Sequence, residues 1–155
     1  MSGLSIEDVL RRAIEKEIES QNLYTELGQK MNEAAAKETF QKLTKQEKAH
    51  QQLLEQLLRG EIGEGDLIKG HPVDYKISEH FEQPEISPDL KLKEIFLLAA
   101  SREKAAHDLY LDLAQLQPPG EVKRLFNTLA TQELQHKEKI EFFYTEVAFP
   151  QTDGG

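Results

Sequence analysis

Two segments of the chain carry the spacing Glu-x-x-His: Glu47 with His50, and Glu133 with His136. Residues three apart on a helix lie side by side, so each pair can offer a carboxylate and an imidazole to one point. Glu17 and Glu103 each stand 30 residues before the glutamate of a pair, and Tyr24 and Tyr110 each stand 23 residues before it. All eight therefore fall into four couples at one offset of 86 residues: Glu17 with Glu103, Tyr24 with Tyr110, Glu47 with Glu133, His50 with His136. A lone Glu-x-x-His is a weak signal in a chain with 21 glutamates, whereas recurrence of the whole constellation at one offset is a strong one. The chemistry it suits is cation binding. Two divalent ions would balance four carboxylates and leave two neutral imidazoles as further ligands.

The same offset carries the apolar pattern, pairing Ala13 with Ala99, Leu23 with Leu109, Leu27 with Leu113, Phe40 with Phe126 and Leu43 with Leu129, and it also pairs Gln46 with Gln132. One helical half is read as used twice. The four segments that must position the ligands can be delimited by their ends. Ser5, with Asp8 three residues on, predicts a capped helix start, and that helix runs to about Lys30. A second helix follows the turn around Asn32 and stops near Arg59 and Gly60. The third is expected to begin with Ser87 as cap and Pro88 at its first position, and to end before Pro118, Pro119 and Gly120. The fourth spans Glu121 to about Ala148. The expected organisation is a single all-α domain over residues 1–155: hairpin 5–59, crossover 60–87, hairpin 88–148 and tail 149–155. Helices of 25 residues are about 38 Å long, a distance that the crossover can travel, which makes this a ferritin-like four-helix bundle of two antiparallel hairpins.

Stepping by three and four along each segment gives the face turned to its neighbours. It reads Leu10, Ala13, Glu17, Ser20, Tyr24, Leu27; then Phe40, Leu43, Glu47, His50, Leu54, Leu57; then Phe96, Ala99, Glu103, Ala106, Tyr110, Leu113; and Phe126, Leu129, Glu133, His136, Ile140, Phe143. Four glutamates thus enter the core in one layer, with no Lys or Arg on the same stripes. Burying ionised carboxylates unpaired costs several kcal/mol each. Protonating all four would demand four large upward pKa shifts, so two cations are the economical solution. The small Ser20 and Ala106 leave room beside Glu17 and Glu103 for an exogenous ligand. Carboxylate with imidazole favours iron, with manganese or zinc as alternatives. The hydroxyls of Tyr24 and Tyr110 can reach ligand carboxylates, or serve as ordinary core aromatics. His107 falls off the stripe and matches Gln21 in the repeat, which leaves it outside the ligand set, and His71 and His80 are read as surface residues of the crossover.

The formal charge of −9 argues against nucleic acid or an anionic membrane as partner. With no cysteine there is no disulfide, thiolate metal site or thiol nucleophile. Met1 to Val9 lack a basic stretch followed by an apolar one, and no run is long enough to cross a bilayer, so the cytoplasm is the expected compartment.

With Ala13-Ile14-Glu15-Lys16-Glu17, Gln46-Glu47-Lys48-Ala49-His50, Arg102-Glu103-Lys104 and Gln132-Glu133-Leu134-Gln135-His136, the chain resembles the rubrerythrin-like branch of the ferritin-like superfamily over residues 5–148. The resemblance implies a diiron site with Glu17 and Glu103 as terminal ligands, Glu47 and Glu133 as bridges, and His50 and His136 as one imidazole per metal. It further implies an oxidoreductase that reduces hydrogen peroxide or dioxygen, or alternatively a ferroxidase or iron-handling protein. A non-catalytic bundle with a structural metal is a third reading. Rubrerythrins proper carry a rubredoxin-type domain with four cysteine ligands, and they carry another glutamate three residues after the third-helix ligand. Here there is no cysteine, and that position is Ala106. The expected electron donor is therefore a separate, rubredoxin-like protein, and redox-linked movement of an iron is not expected. Bundle habit suggests a homodimer.

Overall fold

Ser5 starts the first helix through two reciprocal bonds: its hydroxyl accepts from the Asp8 N–H at 3.1 Å, and the Asp8 carboxylate accepts from the Ser5 N–H at 3.3 Å. The computed structural model describes residues 5–63, 67, 77, 79–81 and 91–148. Helix α1 (Ile6–Lys30) ends where Met31 turns extended, and α2 (Ala34–Leu58) follows directly. Beyond α2 the chain reverses at Gly60, whose φ of 74° lies in the left-handed region that costs glycine nothing. Among the described residues of the crossover, Glu79–Phe81 form a 3-10 turn. Then come α3 (Leu92–Gln115) and α4 (Glu121–Ala148), with Pro118, Pro119 and Gly120 between them.

Three of the expected starts and all of the expected stops coincide with these bounds. The third start does not: Lys91 has extended backbone (φ −71°, ψ 155°) and caps α3 without a side-chain bond, so the helix begins at Leu92 rather than at Pro88. Ser87 and Pro88 themselves lie outside the described residues, as does His71. No described helix is long and apolar enough to cross a membrane.

Each hairpin packs along its own length, α1 on α2 and α3 on α4, and the hairpins meet with α1 against α3 and α2 against α4. The apolar core has two parts. At one end Ile6, Val9 and Leu10 of α1 join Leu54 and Leu57 of α2, Leu109 and Leu113 of α3, and Val122, Phe126 and Leu129 of α4. At the other end Leu23 and Leu27 join Phe40, Leu43, Phe96, Ala99 and Ile140. The start of α1 thus lies with the ends of α2 and α3, so every helix runs antiparallel to both helices it packs against. Each fully buried Leu or Phe in these clusters contributes about 1.5–3 kcal/mol. Between the two clusters lies one polar layer.

Candidate metal centre

That layer is built from all four helices. Glu17, Glu47, Glu103, Glu133, His50 and His136 are each at most 3% exposed. They come together because each replaces one apolar residue in its stripe at the same height of the bundle. Two overlapping groups result, in each of which the ligating atoms lie within 4.8 Å of one another: Glu17, Glu47, His50 and Glu133, and Glu47, Glu103, Glu133 and His136. Glu47 and Glu133 are common to both groups. Glu17 with His50, and Glu103 with His136, belong to one each.

The imidazoles face inward through Nδ1. His50 Nδ1 is 2.7 Å from Glu133 Oε1 and 3.6 Å from Glu17 Oε2, while His136 Nδ1 is 2.5 Å from Glu47 Oε1 and 3.7 Å from Glu103 Oε2. The rings stack at 5.8 Å, nearly parallel. Their outer nitrogens are held crosswise, His50 Nε2 by Gln132 Oε1 and His136 Nε2 by Gln46 Oε1, both at 2.5 Å. An Nε2–H donated to the glutamine amide leaves a lone pair on Nδ1, the form that ligates a metal. The tyrosines cross over as well. Tyr110 Oη donates to Glu17 Oε1 at 2.5 Å, and Tyr24 Oη donates to Glu103 Oε1. In each case the carboxylate lies on the opposite hairpin.

The polar atoms left over fit a cation. Glu17 Oε2, both oxygens of Glu47, Glu103 Oε2, Glu133 Oε1 and the Nδ1 of both histidines are buried without a hydrogen bond among the described residues. Native proteins rarely leave such atoms unsatisfied, and here they converge from six side chains on one place. The donor set, carboxylate oxygen with imidazole nitrogen, fits a divalent transition metal.

Without a cation, protons compensate. Burial pushes the Glu47 and Glu103 carboxyls well above the usual range, and neighbouring carboxylates add to it. Burial and the charge of Glu17 raise Glu133 to about 8. Burial would raise Glu17, but the adjacent Glu47 carboxyl and the His50 imidazole outweigh it, and its pKa falls. Burial would lower His50, but the nearby Glu17 carboxylate raises it on balance. His136 drops to about 3, through burial and the adjacent His50 charge. Raised groups hold protons that the unfolded chain has released, and that stabilisation is lost as pH rises through the folded values; His136 and Glu17 are already in their final state above pH 6.5. Metal-free protein is therefore expected to melt at progressively lower temperature from pH 6.5 to about 9, a trend that thermal unfolding in chelator measures.

The rubrerythrin family profile matches residues 8–144. The chain belongs to the rubrerythrin family. Among solved structures, this rubrerythrin-family chain resembles a protein from Thermotoga maritima described as ferritin-like and diiron-carboxylate, with a TM-score of 0.71 at 24% identity, over 95% of this chain and 99% of that one. At that identity the likeness speaks for the fold, a ferritin-like four-helix bundle. No curated protein matches the sequence.

Three features of the centre escape a reading of stripes. Gln46 and Gln132 act on the histidines, and their shared 86-residue offset is the signal that could have found them. Arg102, the repeat counterpart of Lys16, is buried beside the layer, where its Nη2 donates to Glu19 at 3.2 Å and to the Lys16 carbonyl at 3.4 Å. His80 is not simply a surface residue: it is half-buried, with Nε2 2.8 Å from Asp112 Oδ2. The contact exists because the 3-10 turn folds back on α3. His107 stays outside the centre, with Nδ1 2.7 Å from the Ala130 carbonyl.

Proposed function

We propose that this rubrerythrin-family protein is a diiron-carboxylate oxidoreductase that reduces hydrogen peroxide or dioxygen. The observation that carries it is the two overlapping ligand groups sharing Glu47 and Glu133. On this reading Glu17 with His50 and Glu103 with His136 would hold one ion each, with Glu47 and Glu133 available to both. Bound iron would supply the electrons and a Lewis-acid hold on oxygen atoms. The protein's own residues do the rest. The tyrosine hydroxyls orient Glu17 and Glu103, the glutamine amides keep Nδ1 of each histidine unprotonated, and the two apolar clusters exclude bulk water from both ends of the layer. Reduction of one hydrogen peroxide consumes two electrons and two protons and yields two waters. We infer that the electrons are restored by a donor of rubredoxin-like chemistry, since these 155 residues carry no cysteine ligands of their own.

Protein purified without added metal is expected to carry iron at about two equivalents per chain by elemental analysis. When it is loaded with ferrous iron under anaerobic conditions, its oxidation by peroxide or by dioxygen should outpace that of free ferrous ion. Oxidation no faster than the free ion with either oxidant would sink the proposal, and a tightly held zinc with no optical change would mark a structural site instead.

A further inference from the structure

A small cavity of about 30 Å³ lies in the seam between α1 and α3, under the 3-10 turn. Its inner wall is formed by Glu17, Tyr110 and Glu133, all buried, and its outer wall includes half-buried Lys16, Ala106, His80 and Phe81. It therefore leads from the side of the bundle to the carboxylate layer. A site needs roughly 10–15 Å³ of this measure for one water, so the cavity has room for about two oxygen-sized atoms. The roof is tied to both helices beneath it: His80 is paired with Asp112 of α3, and the Arg12 guanidinium of α1 lies 5.9 Å over the Phe81 ring. Arg102 also lines the cavity. It is only 9% exposed, and although its Nη2 is engaged by Glu19 and the Lys16 carbonyl, its Nε–H is buried with no acceptor among the described residues. A buried donor left without a partner beside a cavity is a ready binding group for a small acceptor.

We propose that this seam cavity is the port and holding site for a two-atom oxygen species, with the Arg102 Nε–H as its hydrogen-bond donor and with Ala106 and Ser20 setting the size limit. The choice of an oxygen species rests on the oxidoreductase reading above; the existence of the port does not. Alkyl hydroperoxides exceed the space under Phe81, so the port selects hydrogen peroxide and dioxygen by size.

Dissolved dioxygen is paramagnetic, and its access can be read in iron-free protein, with or without zinc, from the relaxation of methyl groups. Under several atmospheres of oxygen, the buried methyls of Ala13 and Leu109, which line the cavity, should relax several-fold faster than the equally buried methyls of Leu27 and Leu43. Ala106→Leu, which fills the cavity, should reduce the gain to the level of Leu27, and Ser20→Val on the opposite wall should do the same should the first variant fold poorly. Equal relaxation at all four residues, or a gain that survives both substitutions, would overturn the port. In iron-loaded protein, Arg102→Met should raise the peroxide concentration for half-maximal oxidation about tenfold with metal content unchanged. An unaltered value would remove Arg102 from the site. Failure of wild-type protein to react with either oxidant would overturn the redox reading while the methyl relaxation still decides the port.

Discussion

Glu47→Ala is expected to abolish binding of both cations, as is Glu133→Ala, whereas Glu17→Ala or Glu103→Ala should leave about one equivalent bound. The asymmetry follows from the layout: Glu47 and Glu133 belong to both ligand groups, while Glu17 and Glu103 belong to one each. Removing a shared carboxylate also takes away charge that offsets two neighbouring ions, so the remaining ligands face mutual repulsion of the cations as well as lost coordination. Metal stoichiometry of each variant, read by elemental analysis after equilibration with excess ferrous iron and desalting, checks this. One ion retained by Glu47→Ala and none by Glu17→Ala would refute the bridging role.

In chelator the same position should behave in the opposite sense. Glu47→Leu is expected to raise the stability of metal-free protein by about 1–4 kcal/mol, the range for buried ionic groups that give way to well-packed apolar ones of similar volume. Glu47 is wholly buried, and neither of its oxygens has a hydrogen bond. Its Oε1 lies 2.5 Å from His136 Nδ1, and the outer Nε2 of that ring is held by Gln46. Burial and three neighbouring carboxylates make that carboxyl costly in either protonation state. Leucine at this height would join the two apolar clusters into one. Urea unfolding in chelator should therefore show a higher midpoint for Glu47→Leu, and with metal present the order should reverse, because wild-type protein gains the binding free energy and the variant does not. A lower midpoint in chelator would mean that the carboxylates are compensated by something other than a cation.

Helix bounds and the identity of the clustered side chains were legible in the sequence because both are local signals repeated along the chain. Ser5 with Asp8 and Gly60 mark ends through contacts within one turn. A stripe of three- and four-residue steps tells which side of a helix faces inward, and four glutamates on such stripes had to meet. Where the local signal was ambiguous the reading failed: Ser-Pro at 87–88 marks a helix start as readily as a loop, and α3 begins at Leu92.

A stripe names a face but no partner across it. That Tyr24 serves Glu103 and Tyr110 serves Glu17, and that each histidine is held by a glutamine of the opposite hairpin, are contacts at separations of 79 to 93 residues. They exist because antiparallel crossing of α1 on α3 and of α2 on α4 brings the middle of every helix to one height. The seam cavity belongs to the same level of organisation. Ala106, Arg102 and His80 carry no shared period or motif, and they surround one space only once the 3-10 turn has folded over α1 and α3. Types and spacing along the chain were enough for the charges in the core and the cation they call for; which groups orient those ligands, and from which side a small molecule reaches them, required the helices to be packed.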